Sequence, residues 1–129
     1  MATRVFLGIS VLVWLPYGVF CFFQPGFLSG AAGVSIASTT GSIELRAMYG
    51  GLQSAIGLLA LAAILRSELA RSALVAIAFL TGGLGMARLL GAGLDGEVSA
   101  YTGLALVFEF ASVGVATWLL RATEETPAS

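Results

Sequence analysis

Four apolar runs, over 5–23, 43–65, 73–93 and 98–120, constrain this chain more than anything else in it. A helix rises about 1.5 Å per residue and needs roughly 20 apolar residues to cross the hydrocarbon of a bilayer. Each run is long enough to do so. What is left of 129 residues leaves little room for a soluble catalytic domain. Only 10% of the residues are charged and the mean hydropathy is +0.98, whereas soluble domains carry about a quarter charged residues. The expected fold class is therefore an all-α membrane protein, an up-down bundle of four transmembrane helices forming a single domain over 1–129.

The connections follow from the same reading. The turn around Arg66 to Ser72 and the turn around Leu94 to Glu97 are short, so spans two, three and four are expected to be antiparallel neighbours. Pro16 lies inside span one, where it removes a backbone donor and should kink the helix, and Pro25-Gly26 follows its end. A secretory signal is a rival reading of the first run, with Arg4 as its basic start and Ser29-Gly30-Ala31 as a cleavage site. The run is longer than a signal's apolar region of about 7–15 residues. The segment 24–42 is long and uncharged. It reads either as an extracytoplasmic loop on the headgroups or as a short interfacial or re-entrant helix lying over the outer end of the bundle. The polar tail 122–129 is expected to fray.

Orientation follows from basic residues near span ends. Arg4, Arg66, Arg71 and Arg121 fall on one side, which places both termini in the cytoplasm. Trp118 suits an interfacial position there, and Phe22, Phe23 and Tyr101 suit the opposite one. Several chemistries are excluded within the chain. Without histidine it offers no His-ligated haem, no His-containing zinc site and no His-based acid–base pair. Cys21 is the only cysteine and forms neither an internal disulfide nor a CxxC pair. No cofactor or metal site is implied. No basic tract suggests nucleic acid. The glycine pairs Gly50-Gly51 and Gly82-Gly83 sit in different registers, so no inverted repeat is inferred.

The charges that remain inside the runs carry the functional information. Glu109 lies near the middle of span four, where an acid costs about 2.5–3.5 kcal/mol on insertion scales, and the leucines, valines and phenylalanines around it offset that cost. Thr102, Ala105, Glu109, Ser112 and Ala116 share one small, polar stripe, so Glu109 should face the bundle interior, with Leu104, Phe108, Val115 and Leu119 left for lipid. In span two, Arg46, Tyr49, Gly50, Gln53 and Gly57 share a face. Glu44 points elsewhere; it is either a first-turn acid serving capping positions opened by Gly41 and Ser42 or a partner for Arg88 or Arg46. In span three, Thr81, Leu84, Gly85, Arg88, Gly91, Ala92 and Asp95 form a stripe, and Gly83, Ala87 and Gly91 add a small-xxx-small path for close packing, as Gly50, Gly51 and Gly57 do in span two. Arg88 can snorkel outward or reach toward Glu109. Cys21, Met48, Met86 and Trp14 read as packing or lipid contacts.

The string Glu44-Leu-Arg46-Ala-Met-Tyr49-Gly50-Gly51-Leu-Gln53, then Arg88-Leu-Leu-Gly91, then Asp95-Gly96, with an acid at Glu109, resembles a family of small bacterial four-span membrane proteins grouped as a domain of unknown function. That family carries an E-x-R-x-x-Y-G-G block opening span two and an R-x-x-G…D-G block closing span three. The likeness runs from about Val5 to Leu120, and in layout the chain is also similar to DoxX-like proteins. The resemblance implies a bacterial cytoplasmic-membrane location and one shared site at Glu44, Arg46, Tyr49, Gln53, Arg88, Asp95 and Glu109. It implies no activity.

Three functions stay open on this reading. The first is a non-enzymatic protein whose outer-half polar pocket binds a small polar or anionic ligand or lipid headgroup; the same charges read alternatively as a structural ion-pair network. The second is an accessory subunit of a larger membrane complex, with the bilayer, a second copy or another membrane protein as partners. The third, an oligomeric proton-linked transporter, rests on Glu109 alone. No recognised catalytic constellation supports an enzyme.

Overall fold

The protein's structure, a computed structural model, describes residues 1–124 and is all-α, with no strand among the described residues. In chain order it comprises α1 (Ala2–Phe23), α2 (Phe27–Ala32), α3 (Thr39–Leu45), a π-helical segment (Arg46–Leu52), α4 (Gln53–Leu65), a 3₁₀ turn (Ser67–Leu69), α5 (Ala70–Asp95) and α6 (Ala100–Glu124). Four stretches are long and apolar enough to cross a membrane: Ala2–Phe23, Thr39–Leu65, Ser67–Asp95 and Ala100–Ala122. Span one thus begins before Val5, span two at Thr39 and span three at Ser67, while the last helix starts two residues later than hydropathy alone suggests. The helix extends through Ala122 to Glu124; the rest of the tail expected to fray, 125–129, lies outside the described residues.

The chain divides into two compact units, one from Thr3 to Ser67 and one from Glu68 onward. In the first, α1 runs unbroken through Pro16 and buries a single stripe of Leu7, Ser10, Trp14, Gly18 and Cys21, the 3.6-residue period of one helix face. α4 buries Gln53, Ile56, Gly57, Ala60 and Ala63. The two meet backbone to backbone. A Cβ on Gly57 would lie 2.7 Å from Leu15 N and Cβ, one on Gly18 2.5 Å from Ser54 N, and one on Gly50 2.9 Å from Phe22 Cα. As contacts step up α1 from Leu15 to Gly18 to Phe22, they step down from Gly57 to Ser54 to Gly50, which defines an antiparallel pair. Glycine is required at these points because any side chain would hold the helices apart.

The segment 24–42 is neither structureless nor a single loop. α2 is a six-residue helix whose Leu28 is fully buried, and Phe27 meets Phe20 of α1 edge to face, with ring centroids 5.1 Å apart. Gly33, at φ 69°, ends it, and the Gly33 and Val34 N–H groups both return to the Leu28 carbonyl; the left-handed conformation favours glycine here. Ser38 then caps α3, its Oγ accepting from Gly41 N–H at 3.0 Å. This corrects the expected start of span two. Capping falls to Ser38 rather than to Gly41 and Ser42, so Glu44 stands beyond the first turn and does not serve as its acid.

In the second unit α5 and α6 form an antiparallel pair. α5 buries Ala73, Leu74, Ile77, Thr81 and Gly85 and ends at Gly96, φ 75°, whose N–H bonds to the Ala92 carbonyl. Ser99 opens α6 by accepting from Thr102 N–H at 3.1 Å. α6 buries Glu109, Ser112, Ala116 and Leu119. Leu119 is therefore corrected from lipid-facing to buried, at 3% exposure, because the buried stripe continues one further turn in steps of three and four residues. Leu104 and Val115 are exposed, as a lipid-facing side requires.

Candidate functional site

In α6, Glu109 is directed into the pair by the same period that buries Ser112 and Ala116. Opposite it, α5 presents Gly85. A Cβ there would stand 3.3 Å from Glu109 Cβ and 3.5 Å from Oε2, so the missing side chain makes room for the carboxylate. One turn further along α5, Arg88 meets that carboxylate along one edge of its guanidinium: Nε lies 3.3 Å from Oε1 and 3.2 Å from Oε2, and Nη2 lies 3.0 Å from Oε1. The pair is unevenly buried. The Glu109 side chain is 4% exposed and that of Arg88 23%, and the Arg88 guanidinium carbon lies 5.8 Å from the centroid of the Tyr101 ring. A two-point contact fixes the plane of the guanidinium as well as its position, and the aromatic face adds a cation–π attraction.

Other buried polar groups in this unit bond within their own helices. Thr81 Oγ1 donates to the Ile77 carbonyl at 2.7 Å and Ser112 Oγ to the Phe108 carbonyl at 2.7 Å, the i−4 return common to helical hydroxyls. They line the interface without joining the charge pair. Asp95 is exposed.

In the first unit the candidate residues serve differently. Arg46 donates from Nη1 to the Phe22 carbonyl and lies over the Phe22 ring at 5.8 Å. The last carbonyls of a helix have no partner within it, so this guanidinium closes the C-terminal end of α1, where a cation also complements the helix dipole. Arg46 opens the π-helical segment, which also contains Tyr49, Gly50 and Gly51. A π turn accommodates one extra residue per hydrogen-bonded loop, and two adjacent glycines, poor α-helix formers, weaken the competing α geometry. Tyr49 is half-buried and Glu44 exposed; among the described residues Glu44 makes no ion pair with Arg46. Gln53 is 8% exposed, and its Oε1 has no hydrogen-bond partner among the described residues.

The structure thus joins Arg88 to Glu109 within one unit, and places Glu44, Arg46, Tyr49 and Gln53 in the other. Of the glycines read as packing positions, Gly50 and Gly57 make close approaches; a Cβ on Gly51 would meet only the Arg46 carbonyl, at 3.8 Å, and on Gly83 or Gly91 nothing within 4 Å. Ala87, on the same stripe, is exposed. Close approach in α5 falls instead at Gly82 and Gly85. Gly18, Ser54 and the Phe22 carbonyl carry no sequence signal of their own, because each matters only through the backbone lying against it.

An all-α chain with four helices long and apolar enough to cross a membrane, and with a buried acid holding an arginine, is the architecture of a small multi-span membrane protein. The chain belongs to the family described as a domain of unknown function, DUF4345, whose model matches residues 2–120. No curated protein and no solved structure matches it.

Proposed function

We propose that this is a multi-pass protein of the bacterial cytoplasmic membrane, with both termini cytoplasmic, that works by binding rather than catalysis. Its site is the guanidinium of Arg88, held by Glu109 beside Tyr101, and its ligand is a small polar or anionic molecule, either free or as a lipid headgroup. The observation that carries this reading is the uneven burial of the pair. A closed structural pair hides both charges to limit their mutual desolvation; here the acid is hidden and the guanidinium is partly open. Glu109 then serves to orient a fork suited to a carboxylate or phosphate.

Native mass spectrometry of protein extracted in mild detergent tests this directly. Wild type is expected to retain a bound species whose mass separates a lipid from a free metabolite. Arg88→Ala should lose it, and Glu109→Gln should weaken it by letting the guanidinium turn. Retention of the same species by Arg88→Ala, or a bare wild type, rejects the reading.

A further inference from the structure

A second feature of the Glu68-onward unit lies away from Arg88. Arg71, Ser72, Val75, Ala76, Phe79 and Leu80 line an open groove of about 520 Å³ along one face of α5. Their spacing of i, i+1, i+4, i+5, i+8 and i+9 is a single helical face. The groove is graded. Its polar end, Arg71 and Ser72, stands in the first turn of a helix long and apolar enough to cross a membrane. Its other end, Phe79 and Leu80, is wholly apolar and exposed. From Arg71 to Leu80 the helix advances about 13 Å, close to one leaflet of a hydrocarbon core about 30 Å thick.

We propose that this groove is a phospholipid site with a preference for anionic headgroups: the phosphate sits against Arg71 and Ser72, and one acyl chain runs along Val75, Ala76, Phe79 and Leu80. A guanidinium at headgroup depth above an apolar lane one leaflet deep matches the two halves of such a molecule in order and in length. The preceding turn adds Arg66 against Glu68, so the segment 66–72 carries a net positive charge, and cations at this depth attract anionic lipid. A second protein helix fits the lane less well, since helices in lipid approach through small residues, and Val75, Phe79 and Leu80 are bulky. The proposal rests on the membrane reading but not on the Arg88 site.

The test uses the full chain in nanodiscs containing equal phosphatidylglycerol and phosphatidylcholine, with the lipids retained on release counted by native mass spectrometry. Wild type should be enriched in phosphatidylglycerol. Arg71→Ala should reduce that enrichment about fivefold, the effect of one cation near the surface. Ala76→Trp, which fills the lane, should reduce retention of both lipids while far-ultraviolet circular dichroism stays unchanged. In an Arg88→Ala background the same fivefold drop should still follow Arg71→Ala, which separates this site from the other. Unaltered enrichment in Arg71→Ala, or unaltered retention in Ala76→Trp, overturns the assignment.

Discussion

Span two approaches α1 through bare backbone, at Gly50, Ser54 and Gly57, whereas α6 approaches α5 through a carboxylate lodged over Gly85 and clasped by Arg88. Both are antiparallel pairs of apolar helices, and in lipid neither gains from the hydrophobic effect that would join them in water. The first pair gains dispersion contacts by removing side chains, and its one charged group at the contact, Arg46, is turned to a helix end. The second keeps side chains and gains a charged hydrogen-bonded contact that resists rearrangement. Glycine sets distance in both, but only in the second does it make space for a functional group. A close-packed seam fixes the scaffold; in the ion pair the acid is hidden and the guanidinium partly open, the asymmetry on which the proposed binding role rests.

The contrast can be broken most forcefully at the acid. Glu109→Ala strands the Arg88 guanidinium and should cost about 3 kcal/mol, read from unfolding in mixed detergent. The double change Arg88→Leu with Glu109→Leu should recover most of that loss; if it is as unstable as the single variant, the pair is not what joins α5 to α6. Next in size is Gly57→Val, which drives a side chain into Leu15 and should cost about 2 kcal/mol. Near-neutral behaviour there would mean that the α1–α4 seam is looser than its backbone contacts require.

Arg46→Ala should cost about 1–2 kcal/mol by leaving the Phe22 carbonyl unanswered, and it should speed amide exchange at the end of α1 without altering ligand retention at Arg88. An equal loss of ligand would show that Arg46 is not confined to capping. Smallest of all, Gly83→Ala and Gly91→Ala should change stability by no more than about 0.5 kcal/mol, since no neighbour lies within 4 Å of the added carbon. A large change, together with a shift in oligomeric mass, would reveal a second copy or another protein against that face.

The sequence made much of this visible. An apolar run long enough to cross a bilayer has few other folded forms, so the four long helices followed from length, and the inward direction of Glu109 followed from the spacing of Ser112 and Ala116. The end of α5 was placed at 93 and lies at Asp95, with Gly96 closing it. What stayed hidden depended on backbone. Arg46 reads as part of a polar seam or as a partner for Glu44, because its true acceptor is a carbonyl, which every residue has. Gly18 looks like any glycine until Ser54 lies against it. α2 is too short to show a period, and Leu119 was misread because the stripe through Glu109, Ser112 and Ala116 was ended one turn early.

The π-helical segment adds a consequence for the length of the chain itself. Between Arg46 and Leu52 the span carries more residues than an α-helix of the same rise would use. Deleting Met48, which is exposed, would let the segment close into ordinary α-helix. Because the wide turn absorbs one residue without turning the rest of the helix, the residues before the deletion would keep nearly the same facing relative to α4, Arg46 toward Phe22 and Gly57 toward Leu15. In this part of the molecule residue count is buffered: the wide turn takes up one amino acid, so its loss there would spare the facing of both ends of the span, whereas a deletion in the regular helix of α4 would turn everything before it by about 100°.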